Sequence, residues 1–435
     1  MMIVMMRTLT MRLGAALLAM AWLAGGGSPA RAQALTGDGG VSAFYDWPAA
    51  IPAAGRLLRQ EVMPAALLPG NAARGVRILY ASTSDIGGDH AIAVSGTVLL
   101  PRGAAPRGGW PVVAWAHGTT GTADVCAPSW TGYRDQDATV LNGWLAAGYA
   151  VVATDYEGLG TRGAHPYMML GSAARSVLDA VRAARRGFAV SRRLIVVGHS
   201  QGAHAAFGVG LLQRAYAPEL DLRGVVATGL PAEGGFAPLD DGATSTIVRA
   251  PPIDPITRRD PVRRLDMTRF DSWFVVMLKY FPSYAAIVPG FVPGEWATPR
   301  TMAILEDFDR GCSSDKVAAL FRDRPSPDAL LRQDVSALEK QVARYRRYPT
   351  PRFTMPVFLG IGRQDSATAP ELSFNVARAA CAQRSRMTVR FYDRGTHATM
   401  VLPAQRDILA FAAAAMAGRR LPGTCAGLAW PGRDG

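Results

Sequence analysis

The feature that most restricts this chain is a turn. Residues 194–206 read Leu-Ile-Val-Val-Gly-His-Ser-Gln-Gly-Ala-His-Ala-Ala. A short β-branched run predicts a buried strand over 194–197, and the small and apolar residues after the pentapeptide predict a buried helix over 203–216. Between them, residues 198–202 form a G-x-S-x-G pattern. A strand can pass into a helix through so few residues only by a very tight turn, and the glycines leave room for one. Ser200 at its apex would stand clear of both elements. Taken alone, the pentapeptide also fits a glycine turn whose serine caps the helix. A strand before it and a helix after it favour a nucleophile.

The same alternation recurs along the chain. Strand-like runs at 76–82, 92–100, 112–115, 150–154, 224–228, 357–361 and 388–392 are interleaved with helical candidates at 138–147, 172–186, 370–382 and 403–417. Such interleaving predicts an α/β fold, with a mostly parallel central sheet flanked by helices. Residues 232–350 break the rhythm and are too long for a loop, so they are expected to form a helical cap inserted into the sheet domain. The core is then residues 33–231 and 351–435, the latter ending in a C-terminal tail. Within the insertion, Phe270, Trp273, Phe274, Tyr280, Phe281, Tyr284, Phe291 and Trp296 crowd together. Most should pack the insertion onto the sheet. The apolar run 273–278 exceeds one buried helical stripe, and its surplus would line an acyl tunnel or meet lipid.

Residues 1–32 read as a signal peptide. Arg7 and Arg12 precede an apolar stretch over 13–24, and Ala30-Arg31-Ala32 supplies an A-x-A cleavage site. A secreted or periplasmic protein is expected, without a membrane span. The net charge of +13 is carried almost wholly by arginine, since the lysines are Lys279, Lys316 and Lys340. The arginines are scattered, with no basic run and no interleaving with aromatics, which argues against a nucleic-acid partner. Four cysteines, Cys126, Cys312, Cys381 and Cys425, lie beyond the leader. An even number in an exported chain points to two disulfides, with three pairings open. No C-x-x-C or His/Cys cluster suggests a metal.

A serine nucleophile on such a sheet takes its acid and then its histidine later in the chain. Of the six histidines only His204 and His397 follow Ser200. His204 lies four residues on, in the expected helix, where packing is its natural role. His397 follows the last strand on a loop free to reach over the sheet. Two carboxylates compete to orient it. Asp365 follows the strand at 357–361, one strand before the histidine, and is preferred. Asp393 ends the same strand that leads to His397 and better suits shaping the turn. Residues 114–129, AWAHGTTGTADVCAPS, place glycines and threonines at a strand exit, where backbone N–H groups could face a developing oxyanion. One donor would be the N–H of Gln201, the other Thr119 or Thr120. Residues 158–163 match G-x-G-x-x-G, but Pro166 follows three residues later and the helix waits until about Ser172, so no dinucleotide is expected.

With these residues in place, the chain resembles the secretory lipase family of the α/β-hydrolase superfamily. The resemblance covers roughly residues 40–427. It is carried by HGTTG and CAPS (117–129), AAGYAVVATDYEGLG (146–160), GHSQGAHAA (198–206), AYAPELDLRGVV (215–226), GRQDSATAP (362–370) and GTHATM (395–400). It implies an α/β-hydrolase fold with a helical cap between the sixth and seventh core strands. It implies Ser200, Asp365 and His397 as catalytic triad, the set that elimination also gives, and an oxyanion donor at Thr120. It further implies the bridges Cys126–Cys312 and Cys381–Cys425, and neither metal nor organic cofactor. Part of the family carries an acidic residue where Thr120 stands.

The expected function is a secreted serine ester hydrolase acting on small-molecule esters or lipids such as triacylglycerols, with a lipid–water interface as partner. A carboxylesterase for small or plant-derived esters uses the same machinery and would differ in having a narrow polar pocket. A non-catalytic binding protein on the same scaffold is a third reading, against which the complete residue set argues.

Overall fold

The computed structural model describes residues 40–232, 278–312 and 315–431. The expected signal peptide, together with Phe270, Trp273 and Phe274, lies outside the described residues. In chain order the main elements are β1 (Leu57–Val62), β2 (Ala72–Ser84), β3 (His90–Pro101), β4 (Trp110–Ala116), α1 (Asp135–Ala146), β5 (Ala150–Thr154), α2 (Leu170–Gly187), β6 (Val190–His199), α3 (Gln201–Tyr216) and β7 (Asp221–Thr228). Then follow α4 (Phe281–Ile287), α5 (Pro299–Arg310), α6 (Asp315–Asp323), α7 (Ser336–Arg346), β8 (Val357–Gly362), α8 (Pro370–Ala382), β9 (Met387–Tyr392) and α9 (Val401–Met416).

Among the described residues the strands form one sheet in the order β1-β2-β3-β5-β4-β6-β7-β8-β9. The first three strands and the β3–β5 pair are antiparallel. From β5 to β9 every pairing is parallel. Parallel strands need helical crossovers and are covered on both faces, which explains the unbroken apolar runs that mark β4, β5 and β6. Along β4 the side chains divide by the period of two. Val112, Ala114 and Ala116 join the core under α2, α3 and α8, while Val113 and Trp115 join the core under α1 and α9.

Each strand expected from the sequence is present, but β1 was not anticipated. Its Leu-Leu-Arg-Gln-Glu-Val lacks alternation because it lies at the sheet edge, half-buried to exposed throughout. The expected strand 194–197 also starts earlier, at Val190, through residues that include exposed Arg192 and Arg193. Backbone pairing of Trp110 with Val190 extends it, where side-chain pattern gave no signal.

Between β7 and β8 the described residues form α4 to α7 and a separate apolar cluster. Leu278, Tyr280, Phe281, Tyr284, Ile304, Leu320, Leu338 and Val342 are buried there. The cluster also takes in Ile86, Tyr167, Met168 and Met169 from the sheet domain's loops. Of the aromatics expected to pack the insertion, Tyr280, Phe281, Tyr284, Phe291 and Trp296 do so. Two disulfides are present, Cys126–Cys312 and Cys381–Cys425, with Cα–Cα separations of 5.2 and 5.4 Å. The first ties the loop after β4 to the insertion, and the second ties α8 to the tail.

Candidate active site

Ser200 sits between β6 and α3 with φ 57° and ψ −123°. A side chain pays steric strain in that left-handed region, and such strain persists only where the surroundings enforce it. Here the enforcement is backbone against backbone. A Cβ on Gly198 would lie 1.9 Å from the Gly202 carbonyl oxygen, and one on Gly202 would lie 1.8 Å from that of Ala116. The two glycines of the pentapeptide are therefore required by close approach of β4, the turn and α3. The Ser200 N–H donates to the Thr228 carbonyl on β7 (3.0 Å), and its own carbonyl accepts from Ala203 and His204. The hydroxyl is thus presented at the C-terminal end of the parallel strands and at the positive end of a helix.

His397 reaches this hydroxyl from the loop after β9. Its Nε2 is 2.8 Å from Ser200 Oγ, and its Nδ1 is 2.8 Å from Asp365 Oδ2. Asp365 is buried and receives three further bonds: from the N–H groups of Ala367 and Thr368 to Oδ1, and from the Thr368 hydroxyl to Oδ2. Burial pushes its pKa up, but the bonds to His397 and Thr368 outweigh that and hold it below the usual carboxylate value. An ionised acceptor at Nδ1 fixes the tautomer that leaves Nε2 free to take the serine proton. Asp393 lies elsewhere: it is exposed and pairs with Arg363 at 3.0 Å. His204 is buried in α3 against Tyr348, with Nε2 3.1 Å from the Arg346 carbonyl, and burial lowers its pKa to about 4.

The loop after β4 lies against the turn. A Cβ on Gly118 would sit 3.6 Å from that of Ser200 and 3.3 Å from the His199 carbonyl oxygen. The two threonines there differ. Thr119 Oγ1 bonds to Tyr167 Oη at 2.7 Å, and its carbonyl accepts from Arg134 Nη1 at 3.2 Å. Thr120 Oγ1 is buried without a hydrogen-bond partner among the described residues. The N–H of Gln201 opens α3 and so has no intrahelical acceptor. Its side chain is buried, with Nε2 3.0 Å from His165 Nε2, while His165 Nδ1 donates to the Glu157 carbonyl at 2.7 Å. Burial lowers the His165 pKa to about 4, so its Nε2 is an acceptor at neutral pH. The Cys126–Cys312 bridge backs the same loop, since a Cβ on Gly121 would lie 2.5 Å from Cys126 Sγ.

Sequence reasoning singled out Ser200, Asp365, His397, Thr119, Thr120 and Gln201, and the fold gathers them at one end of the sheet. It passed over Arg134, His165 and Tyr167, which lie more than thirty residues before Ser200 in the chain and carry no motif. Residues 158–163 form a glycine loop with positive φ at Gly158, Gly160 and Gly163, well before α2 begins. Among the described residues no group of three or more His, Cys, Asp or Glu could hold a metal ion, and no helix is long and apolar enough to cross a membrane.

A family model described as secretory lipase matches residues 126–241. Lipase A of Moesziomyces aphidis is 29% identical over 216 residues, covering 46% of this chain and 45% of that protein. The match therefore spans less than half the length of that curated relative. In structure, Candida antarctica lipase A superposes with a TM-score of 0.67 at 20% identity, over 88% of this chain and 87% of that one. The rice cell wall degrading esterase LipA from Xanthomonas oryzae superposes with a TM-score of 0.60 at 19% identity, over 85% of this chain and 100% of that one. The chain thus has the α/β-hydrolase fold and resembles secretory lipases in sequence across the turn that carries Ser200.

Proposed function

We propose that the protein is a secreted or periplasmic serine carboxylic ester hydrolase acting on acyl esters of lipids, triacylglycerols among them. The observation that carries this is the pair of 2.8 Å hydrogen bonds running from Ser200 Oγ through the His397 ring to Asp365. In the proposed reaction Ser200 Oγ attacks the ester carbonyl as His397 Nε2 takes its proton. The negative charge moves to the carbonyl oxygen, facing the Gln201 N–H and Thr120, whose buried hydroxyl has no other partner among the described residues. His397 then returns the proton to the departing alcohol, leaving an acyl-serine. Water, deprotonated by the same imidazole, releases the acid and restores Ser200. Asp365 stays ionised throughout and stabilises the imidazolium.

Residues 33–231 and 351–435 would form the catalytic core, with 232–350 as the substrate-binding cap and 1–32 removed on export. The likeness to a cell wall degrading esterase favours a second reading, hydrolysis of small or plant-derived esters by the same residues. Rates on p-nitrophenyl esters from acetate to stearate separate the two. A rate rising with chain length, and rising again past the solubility limit, supports the lipase. A maximum at acetate moves the enzyme to the esterase reading. Fluorophosphonate must label Ser200 in either case, and an unlabelled Ser200 would remove catalysis altogether.

A further inference from the structure

The middle residue of the pentapeptide, His199, has no part in the chemistry above, yet it touches the group that moves the proton. It ends β6, its ring is buried, and the ring centroid is 4.9 Å from that of His397. Its Nδ1 is 3.0 Å from Thr228 Oγ1 at the end of β7. The His397 backbone favours a proton on this ring, which sets that residue's carbonyl beside it, and with Nδ1 turned to Thr228 the nitrogen left to face the carbonyl is Nε2. Gly229 makes room for the arrangement. It has φ +56°, and a Cβ there would stand 3.0 Å from His199 Cε1 and 3.2 Å from His397 Cε1 and Nδ1.

We infer that His199 is a positioning residue: its ring ties the loop bearing His397 to the end of β7, setting the distance from His397 Nε2 to Ser200 Oγ. The inference rests on the ester-hydrolase reading for its kinetic consequence. A neutral imidazole suits the task, because Thr228 can donate to Nδ1 and Nε2–H is then left to donate to the His397 carbonyl. Burial, and then the neighbouring His397, lower the His199 pKa to about 3, so this pattern survives when His397 is protonated in turnover. His397 sits on a loop rather than on a strand. Among the described residues its ring otherwise hydrogen-bonds only at its two nitrogens, to Asp365 with Thr368 Oγ1 3.4 Å from the same Nδ1, and to the serine it must release. A backbone anchor supplies what those bonds do not.

The test exploits side-chain length. The amide nitrogen of glutamine reaches about where Nε2 stands, whereas that of asparagine reaches only to Nδ1. In His199→Asn, kcat on a soluble short-chain ester and the fluorophosphonate inactivation rate should fall roughly tenfold to hundredfold, as misplacement by about an ångström does. KM and melting temperature should change little. His199→Gln should return both rates to within about threefold of the parent. The low-field proton resonance of His397 Nδ1–H should broaden in the asparagine variant and persist in the glutamine one. Asparagine at parental rates, or both variants falling together, would overturn the tether. If the parent hydrolyses no ester yet the resonance still tracks position 199 as stated, the tether stands and the hydrolase reading falls.

Discussion

The end of the sheet and the described residues between β7 and β8 are both well packed, but they are held by different forces. At the sheet end, position is set by the backbone. Gly198 and Gly202 abut carbonyl oxygens at distances no Cβ could share, and Ser200 hangs from Thr228 on the next strand. In the insertion, position is set by side chains. Tyr280, Phe281, Tyr284, Phe291 and Trp296 pack in succession through tilted and edge-to-face contacts. Glu339 accepts from Tyr284 and Arg346, and the Arg346 guanidinium lies 4.5 Å from the Tyr280 ring centre. Backbone-defined geometry tolerates almost no change at the defining residues, whereas side-chain packing can be repacked at moderate cost. Chemistry that needs fixed distances sits on the first kind of support, and the surface that would meet a variable substrate sits on the second.

The contrast is sharpest at Ser200, the proposed nucleophile. Ser200→Ala should lower kcat by about a millionfold while the far-UV spectrum and melting temperature stay put. More than a few per cent of residual turnover would remove Ser200 from its role. Gly202→Ala should damage folding rather than chemistry alone. The added methyl would be driven into the Ala116 carbonyl, and the loss in denaturant-measured stability should exceed about 3 kcal/mol. A soluble, stable alanine variant would show that the backbone contact is softer than its distances imply.

In the insertion, Glu339→Gln leaves the buried Arg346 charge without its partner. Removing one member of such a buried pair should cost about 3 kcal/mol. Turnover of a short ester at saturation should nevertheless stay within about threefold of the parent, since this variant touches side-chain packing alone. A collapse of kcat would mean that the two regions are mechanically one.

Acid stability offers another comparison. His117, His165 and His204 have pKa values lowered to about 4 and His199 to about 3, in each case by burial first. Above about pH 6.5 neither folded nor unfolded chain protonates them. Below it the unfolded chain takes up the protons first, so stability falls from there down to the folded values. Asp155 works the other way: burial raises its pKa to about 6, so the folded chain gains its proton first and recovers part of the loss. Asp365, depressed in the fold, adds stability that is lost only at still lower pH, below the ordinary carboxylate range. Burial also raises Asp85, Asp137, Glu157 and Asp179, which offset the histidines further, so the net slope near pH 5.5 should be at most about 4 kcal/mol per pH unit, read from urea midpoints across pH. A flat profile down to pH 4.5 would contradict the burial of these rings.

The smallest effect is expected at Asp393→Asn. Asp393 is 68% exposed in its pair with Arg363, so stability should move by at most about 0.5 kcal/mol and turnover not at all. Asp365→Asn should cripple turnover instead. The reverse outcome would exchange the two acids.

Much of this could be read along the chain. The parallel strands announced themselves because burial on both faces demands unbroken apolar runs, as in residues 194–197. The turn announced itself because only glycine fits where two backbones meet. Strand β1 did not, since an edge strand is recruited by the hydrogen-bonding edge of β2 and needs no apolar pattern of its own. The pairing of His397 with Asp365 could be reached by chain order and elimination, but not its geometry.

The sequence by itself determined the α/β layering, the strained turn at Ser200 and the short roster from which partners for that serine could come. These follow from periodicity and from the steric limits of single residues, which are local. Only the tertiary structure decided that Thr119 spends its hydroxyl on Tyr167 while Thr120 keeps its own. It alone set His165 beside Gln201 and brought the His199 ring against that of His397. Those contacts join residues from separate strand ends and loops, and a hydrogen bond between them depends on where the sheet and its crossovers deliver each backbone, which no local pattern records.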